Sequence, residues 1–322
     1  MSAERVERMP DKAARPDMRV NIAGVEFKNP VIAASGTFGY GREYEKLFDI
    51  SRLGGISLKG MTPEERQGNP SPRVAETPSG MLNCVGLQNP GLEAFIRGEL
   101  PHLRDCGTRL ICNIAGSTVS DYCRMAERLS QTDIDMIELN ISCPNVKAGG
   151  DAFGTSCGSV AEITREVRAH CTKPLMVKLT PNVTDIAAIA QAAESEGADA
   201  VSLINTLLGM RIDIKTRRPM LSNNVGGLSG PAVLPVALRM VWAVSRAVKI
   251  PVVGMGGVAG WSDAAEMLLA GACAVQVGTA TFTDPYAMLK IIDGLGDYLS
   301  ACGLSSPSQL VGAVEPYENG KM

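Results

Sequence analysis

The chain has 322 residues and a net charge of −3, and its lysines and arginines are scattered, so no basic field marks it as a nucleic-acid binder. Aromatic residues supply only 4% of it while glycine supplies 34 positions, a balance suited to helices packed closely on strands and to tight turns. Nine cysteines form no CxxC pair and two histidines stand near no second ligand type, which argues against a zinc, iron or disulfide framework and for a reducing, cytoplasmic setting.

Met1 to Met18 is rich in charge and proline and has no apolar core, so residues 1–18 are expected to be a flexible tail, neither signal peptide nor anchor. From residue 19 onward short apolar runs recur, each followed by a polar or glycine-rich turn and then a helical pattern. Strands are predicted at Pro30–Ala34, Gly55–Leu58, Arg109–Ile114, Met136–Ile141, Leu175–Leu179, Ala200–Ile204, Pro251–Met255 and Ala274–Val277. Helices are predicted at Val119–Ser130, Val160–His170, Asp185–Glu196, Ala232–Val248 and Ser262–Ala270. Apolar residues at helical spacing, such as Ile186, Ile189, Ala190 and Ala193, provide a face for packing on a sheet, with Asp185 and Ser262 as caps. The strands are expected to be apolar on both faces, as buried parallel strands are. Eight βα units predict an α/β fold, a closed (β/α)8 TIM barrel over residues 19–304 with long loops at its C-terminal face; an open doubly wound sheet is the alternative. Three connections, Met61–Gly91, Cys143–Gly158 and Thr206–Ser229, are long enough to be functional loops. Residues 305–322 are expected to form a loosely held C-terminal tail.

The residues at which the strands end are Ser35, Lys59, Asn113, Asn140, Lys178, Asn205, Gly256 with Gly257, and Gly278 with Thr279. Polar groups at equivalent positions in apolar segments need partners, and one shared ligand at the barrel mouth supplies them. Lys59 and Lys178 fall within buried strands, so each requires a counter-charge such as a phosphate, a carboxylate or a reduced flavin; a Schiff-base role for Lys178 is the rival use. Glycine turns after the last two strands leave backbone N–H groups uncovered, and the helices that follow favour anions at their N-termini, the phosphate grip of barrels. No GxGxxG and no P-loop stands where a dinucleotide or ATP would need one. The strand Met136–Leu139 runs into Asn140-Ile141-Ser142-Cys143-Pro144-Asn145-Val146-Lys147. A thiol between amides and an ammonium, directly after a buried strand, is a candidate base or nucleophile, although a lone cysteine is more often inert filler. Gly149, Gly150, Gly154 and Gly158 behind it predict a loop that opens for substrate and closes against water.

Together with Ala34 to Gly39, Leu58 to Gly60, Asn83 to Gly91, Val177 to Leu179, Asn205 with Thr206, Leu228 to Gly230, Gly254 to Gly257 and Val277 to Thr279, these motifs resemble the dihydroorotate dehydrogenase family, from about Val20 to Tyr298. The resemblance implies an FMN enzyme that oxidises dihydroorotate to orotate in pyrimidine biosynthesis. Cys143 stands at the family's catalytic-base position, which is cysteine in the soluble class and serine in the membrane-bound, quinone-using class. Met1 to Met18 does not look like the hydrophobic extension of the membrane class. Asn145-Val146-Lys147 with Gly149-Gly150 resembles the two-subunit class 1B form rather than the stand-alone, fumarate-using form. That form implies a partner carrying FAD and an iron–sulfur centre that passes electrons to NAD, in a heterotetramer of two catalytic and two electron-transfer subunits built on a catalytic-chain homodimer.

On the same resemblance FMN is held by Ser35, Lys59, Gly60, Asn113, Asn140, Lys178, Ile204, Gly230, Gly256, Gly257, Gly278 and Thr279. Substrate is held by Lys59, Asn83, Cys84, Val85, Gly86, Leu87, Asn140, Asn145, Asn205 and Thr206. Cys84 departs from the alanine or serine common there, a change conservative in size. The alternatives are an FMN barrel like that of dihydropyrimidine dehydrogenase, a flavin-free aldolase acting through Lys178, and a scaffold barrel, which leaves the polar strand ends unexplained.

Overall fold

A computed structural model describes residues 15–142 and 153–317. Parallel strands β1 (Val31–Ala33), β2 (Gly55–Ser57), β3 (Arg109–Ile114), β4 (Met136–Asn140), β5 (Leu175–Lys178), β6 (Ala200–Leu203), β7 (Val252–Met255) and β8 (Ala274–Val277) close into a barrel in chain order, with β8 against β1. Each lies within one residue of a predicted strand at either end, and closure excludes the open sheet.

The helices form for reasons visible along the chain. Val119–Ser130 begins at a reciprocal cap, where Thr118 Oγ1 accepts from Asp121 N and Asp121 Oδ2 accepts from Thr118 N, both at 3.1 Å. It buries Tyr122, Met125, Ala126 and Leu129, one face of a 3.6-residue period. Asp185 caps Ile186–Ser195, which buries the four residues predicted for it. Cys157–His170 and Leu234–Ser245 fill the other predicted segments, the latter after a 3-10 turn at Pro231–Val233. Ser262 is not a cap: Trp261–Leu269 starts before it, because the Asp263 carboxylate accepts from Ala259 N and Gly260 N at 2.9 and 2.8 Å and sets the start there.

Side chains alternate across the barrel wall. Outward residues such as Ala33, Ile137, Leu139, Leu203 and Val277 join the core shared with the helices. Inward residues at the lower end, among them Ile32, Ile111, Met176 and Val253, form an apolar plug closed from below by Ile22 and Phe27 of an antiparallel hairpin, Val20–Ile22 with Val25–Phe27. The expectation that both faces are apolar fails above this plug. There the inward residues are Ser57, Glu138, Ser202 and Gln276, all buried, one from each even-numbered strand, as the layers of such barrels are built.

Two of the predicted long loops contain strands. Val74–Thr77, Gly80–Asn83, Gly226–Ser229 and Leu207–Gly209 make an antiparallel sheet at the mouth, which draws the two connections together. A Cβ on Gly80 would lie 2.2 Å from the Ser229 carbonyl oxygen, so only glycine admits this approach. Within the segment expected to be a loose tail, Leu310 is buried with Leu268, Leu295 and Leu299, and Gly312 N donates to Leu268 O at 3.0 Å.

Candidate active site

The C-terminal ends of the strands open into a cavity of about 910 Å³, walled on one side by the mouth sheet. Small-molecule sites run from about 300 to 1,000 Å³, so this one has room for a cofactor and a small substrate together. Ser35, Lys59, Gly60, Asn83, Cys84, Val85, Gly86, Leu87, Asn113, Asn140, Lys178, Ile204, Asn205, Thr206, Gly230, Gly256, Gly257, Gly278 and Thr279 all line it. Cys143 and Asn145, and the loop motion expected around them, lie outside the described residues.

Below the cavity floor sits a carboxylate. Glu138 is fully buried in β4 and accepts four hydrogen bonds, each from a different strand: Ser57 Oγ at 2.9 Å, Asn113 Nδ2 at 2.6 Å, Ser202 Oγ at 2.8 Å and Gln276 Nε2 at 2.7 Å. Burial alone pushes its carboxyl up. The Lys178 charge and the Asn113, Gln276 and Ser202 donors outweigh that, and the group is held below the ordinary glutamate value of 4.5. Lys178, nearly buried at the end of β5, has its Nζ 3.5 Å from Ser35 Oγ.

Asn140 Nδ2 donates to Asn113 Oδ1 at 3.2 Å, and Asn140 Oδ1 accepts from Ser142 Oγ at 2.7 Å and from Ser142 N at 3.3 Å. Asn205 Nδ2 reaches the Ser142 carbonyl at 3.3 Å. Tyr122 OH supports the same corner from the helix layer by donating to Asn140 O at 2.9 Å. Across the cavity, Asn83 Nδ2 lies 3.4 Å from Gly227 O in the mouth sheet. Gly60 is glycine because a Cβ would come within 2.8 Å of Asn113 Oδ1.

The glycine turns after β7 and β8 border the cavity, with Gly256 and Gly257 at φ of 109° and 84°. The helix after β7 is not the expected anion site, since the Asp263 carboxylate already occupies its N-terminus. What faces the cavity there is the glycine backbone itself. Glu138, Ser57, Ser202 and Gln276 are the residues the sequence reading missed; each stands two positions before a strand-end residue it singled out or an adjoining one, Asn140, Lys59, Ile204 and Gly278.

Residues 17–299 match the family model described as dihydroorotate dehydrogenase. The chain is 56% identical over 300 residues to the catalytic subunit of dihydroorotate dehydrogenase B (NAD(+)) of Bacteroides fragilis, covering 93% of this chain and 99% of that one. It is 56% identical over 298 residues to the protein of the same name from Alkaliphilus oremlandii, covering 92% and 99%. Against the one from Geotalea daltonii it is 51% identical over 303 residues, covering 94% and 99%.

Proposed function

Because the chain belongs to the dihydroorotate dehydrogenase family, we propose that it is the catalytic subunit of an NAD-linked enzyme that oxidises dihydroorotate to orotate in pyrimidine biosynthesis. The observation that carries this reading is the convergence of Lys59, Asn83, Asn113, Asn140, Lys178 and Asn205, from separate strands and the mouth sheet, on one cavity.

The residues present fit FMN. Lys59 and Lys178 offer cations to a flavin edge, Gly256 and Gly257 offer bare backbone to a phosphate, and the buried Gln276 Oε1, which has no partner among the described residues, offers an acceptor. When bound, FMN supplies the acceptor for the hydride that leaves dihydroorotate. Cys143 takes the proton from the neighbouring carbon beside the carbonyl, on the opposite face of the substrate. Lys178 would help hold the flavin and offset the negative charge it gains on reduction, and Lys59 would serve both flavin and substrate. Asn83, Asn140, Asn145, Asn205 and Thr206 hold the ureide ring and carboxylate through side-chain amide and hydroxyl groups.

A partner subunit carrying FAD and an iron–sulfur centre completes the enzyme, in a heterotetramer built on a dimer of this chain; the relatives' name, catalytic subunit, supports a partner. We place the enzyme in the cytoplasm, in keeping with the free thiols of every described cysteine.

The purified chain is expected to be yellow, or to become so on adding FMN, and to lose its visible absorbance when dihydroorotate is added without oxygen. A colourless chain that takes up no FMN would overturn the reading. Uracil reduction in place of dihydroorotate oxidation would move it to dihydropyrimidine chemistry, and borohydride trapping of substrate on Lys178 to aldolase chemistry.

A further inference from the structure

Glu138 has a donor on every acceptor position it owns. Its Oε1 takes Ser202 and Gln276, and its Oε2 takes Ser57 and Asn113. An ionised carboxylate has about four lone-pair positions and no proton, so its capacity is filled. It cannot exchange a proton with substrate without displacing one of the four.

The orientation this imposes passes outward through the amides. Because Glu138 only accepts, Asn113 must face it with its NH2, which leaves Asn113 Oδ1 to accept from Asn140 Nδ2. Asn140 is thereby turned in the same sense, and its Oδ1 is used by the backbone N–H and the hydroxyl of Ser142. What Asn140 has left for the cavity is a single N–H. Gln276 must likewise face Glu138 with Nε2, so its Oε1 is fixed as an acceptor on a residue of the cavity wall, buried and without a partner among the described residues.

We propose that Glu138 is a positioning residue that sets the donor and acceptor pattern of the cavity: it fixes Asn140, through Asn113, as a donor to a ligand oxygen, and fixes Gln276 Oε1 as the acceptor for an N–H or O–H of the bound cofactor. The inference rests on the functional reading above and deepens it. A pyrimidine that turns a carbonyl or carboxylate oxygen toward Asn140 is selected, and one that turns an N–H there is rejected, because two donors would then face each other.

Glu138→Gln puts one NH2 where an oxygen was. That NH2 meets either Asn113 or Gln276, and whichever it meets must turn over to accept from it. One position of the cavity pattern therefore reverses in either case.

The test titrates FMN into flavin-stripped chain, read by fluorescence, and then orotate into the loaded chain, read by the flavin absorbance shift. Glu138→Gln is expected to weaken at least one of the two ligands by about tenfold or more, whereas Ser57→Ala and Ser202→Ala, which remove a donor without reversing an amide, stay within about threefold for both. A folded Glu138→Gln that binds both ligands like the unaltered chain overturns the proposal, and so do serine variants that lose as much as it does. Should Glu138→Gln not fold, Gln276→Leu decides: about a tenfold loss of FMN affinity supports the proposal, and unchanged affinity overturns it. An unaltered chain that binds neither ligand overturns the functional reading, and this inference with it.

Discussion

Glu138 has no solvent to share its charge with, so its protonation is tied to the fold. Its carboxyl lies below the ordinary value of 4.5 in the folded chain, which means the folded state binds its proton less readily than the unfolded state does. The stability it contributes is therefore complete above about pH 4.5 and is lost as pH falls further, toward and through the depressed folded value. The urea midpoints of the unaltered chain and Glu138→Gln should lie furthest apart near neutrality and draw together below that pH; a constant gap would mean that Glu138 is not ionised in the fold. For Cys143 the reading is chemical. Cys143→Ala should keep FMN and lose dihydroorotate oxidation by a factor on the order of 100 or more, the usual worth of a general base. Cys143→Ser should move the pH optimum upward, since a hydroxyl is the weaker acid, and near-normal turnover by the alanine variant would remove Cys143 from the mechanism. At this scale the sequence shows the rim of the site better than its floor. Lys59, Asn140 and Lys178 stand out because each interrupts or ends an apolar run. Ser57, Ser202 and Gln276 each sit alone among apolar neighbours, and nothing marks them until the two-residue period of a strand is counted back from its end.

At the level of elements, the barrel strands are legible because both their outward and lower inward residues are apolar, so each reads as a short apolar run in which a polar residue stands singly near the upper end. The mouth sheet is hidden for the opposite reason. Its strands pair over only three or four residues, are half-exposed and rich in glycine, and the pairing that joins the two loops, Gly80–Asn83 with Gly226–Ser229, links segments well over a hundred residues apart in the chain. Gly80 tests that sheet. A Cβ there meets the Ser229 carbonyl at 2.2 Å, and the neighbouring Gly230, at φ 102°, has no slack because its own Cβ would meet Gly80 Cα at 2.6 Å. Gly80→Ala should therefore cost about 1–3 kcal/mol, the usual penalty for forcing atoms into a packed site. It should also weaken FMN and orotate binding, since Gly80, Asn83 and Ser229 all line the cavity. Circular dichroism should stay that of the intact barrel, whose eight strands make no use of this contact; unaltered ligand affinity would show that the mouth sheet does not shape the site.

For the whole molecule the question is where the electrons go after substrate oxidation. The barrel is plugged below by Ile32, Ile111, Met176 and Val253 and walled above by the mouth sheet, so the cavity is the space in which FMN and dihydroorotate must both lie. In the proposed arrangement the flavin would lie on one face of the substrate and Cys143 on the other, so a nicotinamide could reach the flavin only after orotate had left. The sequence offers no glycine fingerprint for a dinucleotide either. On the proposed function, the reduced flavin would hand its electrons to the partner subunit rather than pass hydride directly to NAD. The isolated chain should reduce an artificial dye with dihydroorotate while producing no NADH under the same conditions. Co-expression with the electron-transfer subunit of the same organism should restore NADH formation, followed at 340 nm, and should bring that subunit through purification with this chain. Direct NAD reduction by the chain alone would require a nicotinamide to reach the flavin inside this cavity, and would place the acceptor site here instead of on the partner.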